Sequence, residues 1–194
     1  MTSILFFDTE TTGLPTKRNA RPDEVECWPR MVQGAWALGG PDEEPRTQSF
    51  IIKPDGWTIP DVVANIHGIS QARAEQEGVP AADVLGSFQE DLAEADIAVA
   101  HNIAFDHGVI GSEFIRYGSW NPLEDKRRVC TMMCSTGLCK IPQKNGRGYK
   151  WPKLIELHTF LFGVGFEHAH DASVDVAAGV RCYWELVRRG VLSS

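Results

Sequence analysis

Hydrophobic and polar positions along this chain follow two periods, and the change from one to the other marks its elements. Ile4-Leu5-Phe6-Phe7 is an unbroken apolar run. It predicts a strand covered on both faces, central in its sheet rather than at an edge. Met31 to Leu38 and Gln48 to Ile52 are further β-leaning runs, parted by the turn composition Gly39-Gly40-Pro41-Asp42. With the first strand they predict an antiparallel meander. Between the first two runs, Gly13-Leu14-Pro15 and the polar stretch through Asp23 predict a turn and an exposed loop.

Helical spacing takes over downstream. A Pro/Gly-rich crossing from Pro54 to Pro60 leads to Ile66-His67-Gly68-Ile69-Ser70, where Ser70 is placed to cap a short helix beginning at Gln71. Val84, Leu85, Phe88 and Leu92 recur at three- and four-residue intervals, so residues 81–95 predict an amphipathic helix. Ile97 to Ala100 is then a short buried strand, and Phe105, Val109, Ile110 and Phe114 form one side of a further helix with Asp106 near its start. A strand is expected around Val129 to Met132, and a basic loop over 140–150. A helix follows from Lys153 to Phe162, closed by Gly163. The last helix is expected from Ser173 to Arg189, where Arg188-Arg189-Gly190 suits a helix C-terminus.

At 194 residues and 43% hydrophobic content, the chain suits one α/β domain over 1–194. No apolar stretch approaches the ~18 residues of a membrane span, and the first residues lack a secretory pattern, which leads to the expectation of a cytoplasmic protein. Cys27, Cys130, Cys134, Cys139 and Cys182 are odd in number and scattered, so reduced thiols are expected rather than disulfides. Their spacing also lacks the C-x-x-C pairs of a structural zinc site.

The net charge of −7 speaks against a nucleic-acid partner only until its distribution is considered. Residues 126–153 hold eight basic side chains and no acid, leaving 11 basic against 26 acidic residues elsewhere, a balance of −15. An acidic chain of this kind can still present one positive surface to phosphates. The plainer alternative is a solvated loop.

The chemistry concentrates where the first strand ends. Asp8 and Glu10 are one residue apart, so they project from one face about 6 to 7 Å apart. Solvated acids on an edge strand would look similar, but the four apolar residues before them put the pair at the carboxyl end of a buried strand, where open α/β sheets place ligands. Carboxylates in such a setting must protonate or be neutralised, and a divalent ion with a preference for oxygen does the latter.

Three segments carry a resemblance. Phe7-Asp8-Thr9-Glu10-Thr11-Thr12-Gly13, His101-Asn102-Ile103-Ala104-Phe105-Asp106 and His170-Asp171-Ala172-Ser173-Val174-Asp175 resemble, in order, the three motifs of the DnaQ-like, DEDDh 3′-to-5′ exonucleases. The resemblance spans Ile4 to Leu186. It implies a ribonuclease H-like fold: an α/β mixed sheet of five strands flanked by helices on both faces. It also implies phosphodiester hydrolysis from a 3′ end, with two divalent ions, Mg²⁺ or Mn²⁺, about 3.5 to 4 Å apart. Asp8, Glu10, Asp106 and Asp175 are then the metal ligands, Asp8 between both ions, Glu10 and Asp175 on the side of the attacking water, Asp106 on the second ion.

His170 is the general base by the same resemblance. Imidazole, with an ordinary pKa of about 6.5, is largely neutral at pH 7 and can take a proton. His168 competes but has Ser173, not an acid, five residues on. Asp171 is expected as a cap or solvated acid, His101 as an indirect support of Asp106, and His107 and His158 as packing or surface groups. His67-Gly68-Ile69 is similar to a substrate-side element of the family, and Thr11, Thr12 and Phe105 suit contacts to a terminal nucleotide. Cys130-Thr131 stands where many relatives carry an Asp-Thr pair, and the stretch from Ser119 to Trp151 is longer and more basic than in compact members.

The resemblance implies single-stranded nucleic acid as partner, DNA favoured over RNA by analogy with proofreading relatives. Exoribonuclease activity, a proofreading role beside a polymerase, and a catalytically inert binding module are the alternatives. The chain ends at Ser194 soon after its last helix, which leads to the expectation of a free-standing enzyme rather than a tethered polymerase subunit.

Overall fold

The computed structural model describes residues 2–41 and 43–193. Asp42 of the predicted turn lies outside them. Five strands form one mixed sheet: β1 (Ile4–Thr11), β2 (Met31–Gly39), β3 (Arg46–Ile51), β4 (Ile97–Ala100) and β5 (Arg127–Cys130), in the order β3-β2-β1-β4-β5. The pairings β1–β2 and β2–β3 are antiparallel, as the meander predicted, and β1–β4 and β4–β5 are parallel.

The apolar run of β1 is central and covered on both sides, with Ile4 to Phe7 at most 3% exposed. Its alternation sorts the core into two layers. Leu5 and Phe7 face α3 (Ala81–Glu94) and α4 (Ile103–Arg116), packing with Phe88, Val109 and Ile110. Ile4 and Phe6 face α7 (Ala172–Arg188), packing with Val176 and Tyr183. Ala35 and Ala37 of β2 lie on this second face, and such small side chains let α7 approach the sheet closely. Period two therefore sends Asp8 and Glu10 to the α7 side and Thr9 to the α4 side.

The described residues also form the α-helices α1 (Asp61–His67), α2 (Gln71–Glu77), α5 (Thr131–Cys139) and α6 (Leu154–Phe162), with short 3₁₀ turns at Val25–Cys27 and Pro122–Asp125. Ser70 caps α2 as expected, its hydroxyl accepting from the Arg73 N–H at 3.2 Å. Gly163 ends α6 in the left-handed conformation, as predicted.

Two expectations are corrected. The strand foreseen at Val129 to Met132 ends at Cys130, and α5 starts at the next residue. Val-Cys-Thr-Met-Met is too short an apolar run for periodicity to separate strand from helix. Ser135 and Thr136 then tie their hydroxyls to the carbonyls of Thr131 and Met132, inside the helix. The second concerns the Pro/Gly-rich crossing, after which the chain forms an unforeseen helix, α1, closed by His67. Gly68, at φ 75°, gives α1 the left-handed cap that a residue with a Cβ would adopt only with strain.

Candidate active site

One cleft of about 450 Å³ gathers Asp8, Glu10, Asp106, His170 and Asp175. They arrive on four separate supports. Asp8 and Glu10 stand at the carboxyl end of β1, Asp106 in the first turn of α4, and Asp175 in the first turn of α7. His170 occupies the loop just before α7.

Asp106 is 2% exposed and held from the far side of β1: the Thr9 N–H and hydroxyl both donate to its Oδ1, at 3.1 and 2.8 Å. That arrangement leaves Oδ2 for other partners. His170 has φ 74°, which is uncommon for a residue with a Cβ. The turn this produces points its N–H at Asp175 Oδ2, 3.0 Å away, fixing loop and carboxylate to each other. Asp171 is the cap foreseen from the sequence, its Oδ1 accepting from the Ser173 N–H at 3.0 Å.

A residue the sequence reading missed anchors this loop to the sheet. Gln33 of β2 pairs with Glu10 across the β1–β2 register. Its Nε2 donates to Asp171 Oδ1 at 3.2 Å, and its Oε1 accepts from the Ala172 N–H at 3.1 Å. One amide thus holds both ends of the α7 cap. A lone amide in the apolar run Met-Val-Gln-Gly-Ala-Trp-Ala-Leu was the available signal.

The electrostatics show what the site lacks by itself. Burial, then the neighbouring carboxylates, raises Asp8 well above the usual carboxylate range. The same causes push Glu10 to about 8, while burial takes Asp106 to about 7 against the lowering effect of Thr9. Asp175 is also raised, by burial first. Among the described residues, no lysine or arginine lines the cleft to balance these groups. Glu10, His170 and Asp175 each offer a ligand atom, all within 4.8 Å of one another. An oxygen-rich, negatively charged, partly desolvated set of this kind fits divalent cations that prefer oxygen.

The other predicted site residues divide. Thr11, His67 and Phe105 line the cleft. Thr12 is not among the lining residues; its hydroxyl accepts from the Arg30 N–H at 3.0 Å and so pins the loop after β1. Phe105 also packs edge-on against Trp28, 6.4 Å between ring centres. His67 Nδ1 accepts from the Ile69 N–H, which puts the ring proton on Nε2, a buried atom with no partner among the described residues. His101 lines the cleft but makes no hydrogen bond to Asp106. It joins Thr131 Oγ1 and the Pro152 carbonyl, each at 2.9 Å, so its support runs to the segments behind the cleft wall. His168 does not line the cleft, His107 bonds Asn121, and His158 is buried. All five cysteines are free thiols.

The sheet order and helix layers define a ribonuclease H-like fold with a carboxylate cleft at the end of its central strand. Residues 5–183 match the family model RNase_T, described as an exonuclease. The chain belongs to this family of DEDD 3′-to-5′ exonucleases, which depend on divalent metal. It is 27% identical over 176 residues to the PolC-type DNA polymerase III of Lactococcus lactis, a match covering 91% of this chain and 9% of that protein. Among solved structures it is similar to Escherichia coli exonuclease I in complex with a dT13 oligonucleotide, with a TM-score of 0.75 and 21% identity, over 97% of this chain and 42% of that one. Exonuclease I of Methylocaldum szegediense gives 0.71 and 20%, over 97% and 41%. The chain thus spans less than half the length of these exonucleases and about a tenth of the polymerase. Among the described residues, no helix is long and apolar enough to cross a membrane.

Proposed function

We propose that residues 1–194 act as one exonuclease domain that removes nucleoside 5′-monophosphates from the 3′ end of single-stranded DNA. The observation that carries this reading is the convergence of four carboxylates and one histidine, from four separate segments, on a single cleft. DNA is favoured over RNA because E. coli exonuclease I was solved with a DNA oligonucleotide, and zinc was present in another of its single-stranded DNA complexes.

Asp8, Glu10, Asp106 and Asp175 would hold two divalent ions, Mg²⁺ or Mn²⁺. When bound, the ions supply charge to activate water and to stabilise the leaving 3′ oxygen. The remaining work falls to the chain. The charges of Asp106, Asp175 and Glu10 all act on Asp8, so it would be the carboxylate shared within the set. His170 takes the proton of the attacking water; its exposed position lets it pass that proton on to solvent. Thr9 keeps Asp106 oriented with one oxygen free. The His67 Nε2–H, unpartnered among the described residues, donates to a phosphate or sugar oxygen of the terminal nucleotide, and Phe105 and Thr11 flank that nucleotide.

The test is a 5′-labelled single-stranded DNA incubated with Mg²⁺ or Mn²⁺, with EDTA, and beside Asp175→Ala. The expected result is a ladder shortening from the 3′ end that needs metal and vanishes in the variant. Cleavage of a matched RNA in preference to DNA would transfer the reading to an exoribonuclease. The similarity to a PolC-type polymerase supports a second reading, proofreading beside a polymerase, which co-purification with one would establish.

A further inference from the structure

The segment after α5 lies outside the cleft but is built against its wall. From 141 to 150 the chain doubles back as a hairpin, with Pro142 and Tyr149 bridged in antiparallel fashion. The Gln143 N–H donates to the Gly148 carbonyl at 3.2 Å and the Lys150 N–H to the Ile141 carbonyl at 2.9 Å. The tip turns at Gly146 and Gly148, both at positive φ. This is an ordered projection rather than the plain loop expected from the sequence.

Its base is tied to the site. The Pro152 carbonyl accepts from His101 Nε2, and His101 lines the cleft. Two residues on, Leu154 shares a small cavity with Asp8, His101 and Asp175. The stretch from Lys150 to Leu154 therefore runs along the back of the catalytic wall, and the hairpin extends from there into solvent.

What the hairpin presents does little for the fold. Lys140, Lys144, Arg147 and Lys153 are exposed and form no ion pair with any described residue, whereas Lys150 is paired with Glu156 at 2.6 Å. Trp151 is 61% exposed and Tyr149 45%. Clustered cations repel one another, and an exposed indole gains nothing from burial, so the arrangement stabilises neither the hairpin nor the core. Cations alternating with aromatic rings are what a single-stranded polynucleotide requires: charges for its phosphates and flat faces for its unstacked bases.

We propose that the 141–150 hairpin, with Trp151 and Lys153, is a second binding site that grips the single strand on the 5′ side of the nucleotide held in the cleft. This rests on the exonuclease reading, because a strand whose 3′ end enters the cleft must leave it 5′-ward across the protein surface. Lys144, Arg147 and Lys153 take phosphates, and Trp151 stacks on a base.

Binding is measured by fluorescence anisotropy with 5′-labelled oligomers of three and twenty nucleotides, DNA and RNA of matched sequence, in the Asp175→Ala background. Adding Lys144→Gln and Arg147→Gln is expected to lower the magnitude of the log–log salt slope for the 20-mer by about 1.4, at roughly 0.7 per phosphate contact. Adding Trp151→Ala is expected to weaken 20-mer binding roughly 5- to 150-fold, the range of one base stack. The 3-mer, too short to reach from the cleft, is expected to lose far less in both cases. Unchanged 20-mer affinity and salt slope, for DNA and RNA alike, would overturn the proposal. Wild-type cleavage of the same oligomers reads the exonuclease assignment separately, so either idea can fail without the other.

Discussion

The two sides of the cleft are built to different standards of rigidity. On one side Asp8, Glu10 and Asp106 are fixed by the central strand and a buried helix, and Asp106 is bound twice by Thr9. On the other, His170 sits exposed on a loop in a left-handed conformation, held by its own N–H to Asp175 and, one residue on, by Gln33 through the Asp171 cap. Groups that must hold like charges in place need a rigid frame. A group that must receive a proton and release it to solvent needs access, and here it has been placed on the least constrained support.

The largest expected effect comes from the carboxylates of both sides. Asp8→Asn and Asp175→Ala should abolish cleavage, and EDTA should do the same to the wild type, because each removes the charge balance on which the others depend. Gel assays on a labelled oligomer measure this. A variant that kept a tenth of wild-type activity would mean that the four acids do not work as a set.

On the loop side, His170→Ala is expected to lose about 10² to 10⁴ in kcat, the usual contribution of a positioned base, while leaving metal affinity nearly intact. Added imidazole should return part of that rate. If instead the variant bound metal as poorly as Asp175→Ala, His170 would be a ligand rather than a base, which its proximity to Glu10 and Asp175 makes a real contrast to test.

Gln33 links the two sides and should show an intermediate effect. Gln33→Ala frees the Asp171 cap and the Ala172 N–H together and is expected to cost about 10- to 100-fold in activity, as supports one step removed from a metal site usually do. Gln33→Glu can still accept from Ala172 but would face Asp171 with a second carboxylate, so it should rescue little. Equal activity in all three proteins would show that α7 holds the loop without help from β2.

The contrast between the sides also explains what the sequence could reveal. Ile4 to Phe7 gave the central strand because four apolar residues in a row have few other uses, and Asp8 and Glu10 followed from its period. Asp106, His170 and Asp175 were legible through motif order, and the fold brings them to one cleft. What escaped depended on pairing across the fold. Gln33 matters only because the register sets it opposite Glu10 and beneath the α7 cap. α1 escaped because a seven-residue helix with exposed Val62 and Ile66 lacks a buried stripe, and α5 because its apolar residues are shared with the end of β5.

The smallest effect is on stability, and it turns on protons. Glu10 sits at about 8 in the fold against an ordinary 4.5, and Asp106 at about 7 against 3.8. Over the interval between those values the folded protein binds protons that the unfolded chain has released. The resulting stabilisation is fully present below pH 4 and is lost as pH rises through 7 and 8, with Asp8 and Asp175 shifted in the same direction. Metal-stripped protein should therefore melt at lower temperature at pH 8.5 than at pH 5.5. A divalent ion at about 100 times its Kd adds about 2.7 kcal/mol, or roughly 5 to 11 °C for a chain of this size, provided its ligands are deprotonated. That gain should be large at pH 8.5 and small at pH 5.5, where protons compete for the same oxygens. Asp8→Asn removes one charge from the cluster, so the metal-free variant should melt above the wild type at pH 8.5 although it cleaves nothing. If it melts below, the cost of crowded carboxylates is already met inside the chain without cations.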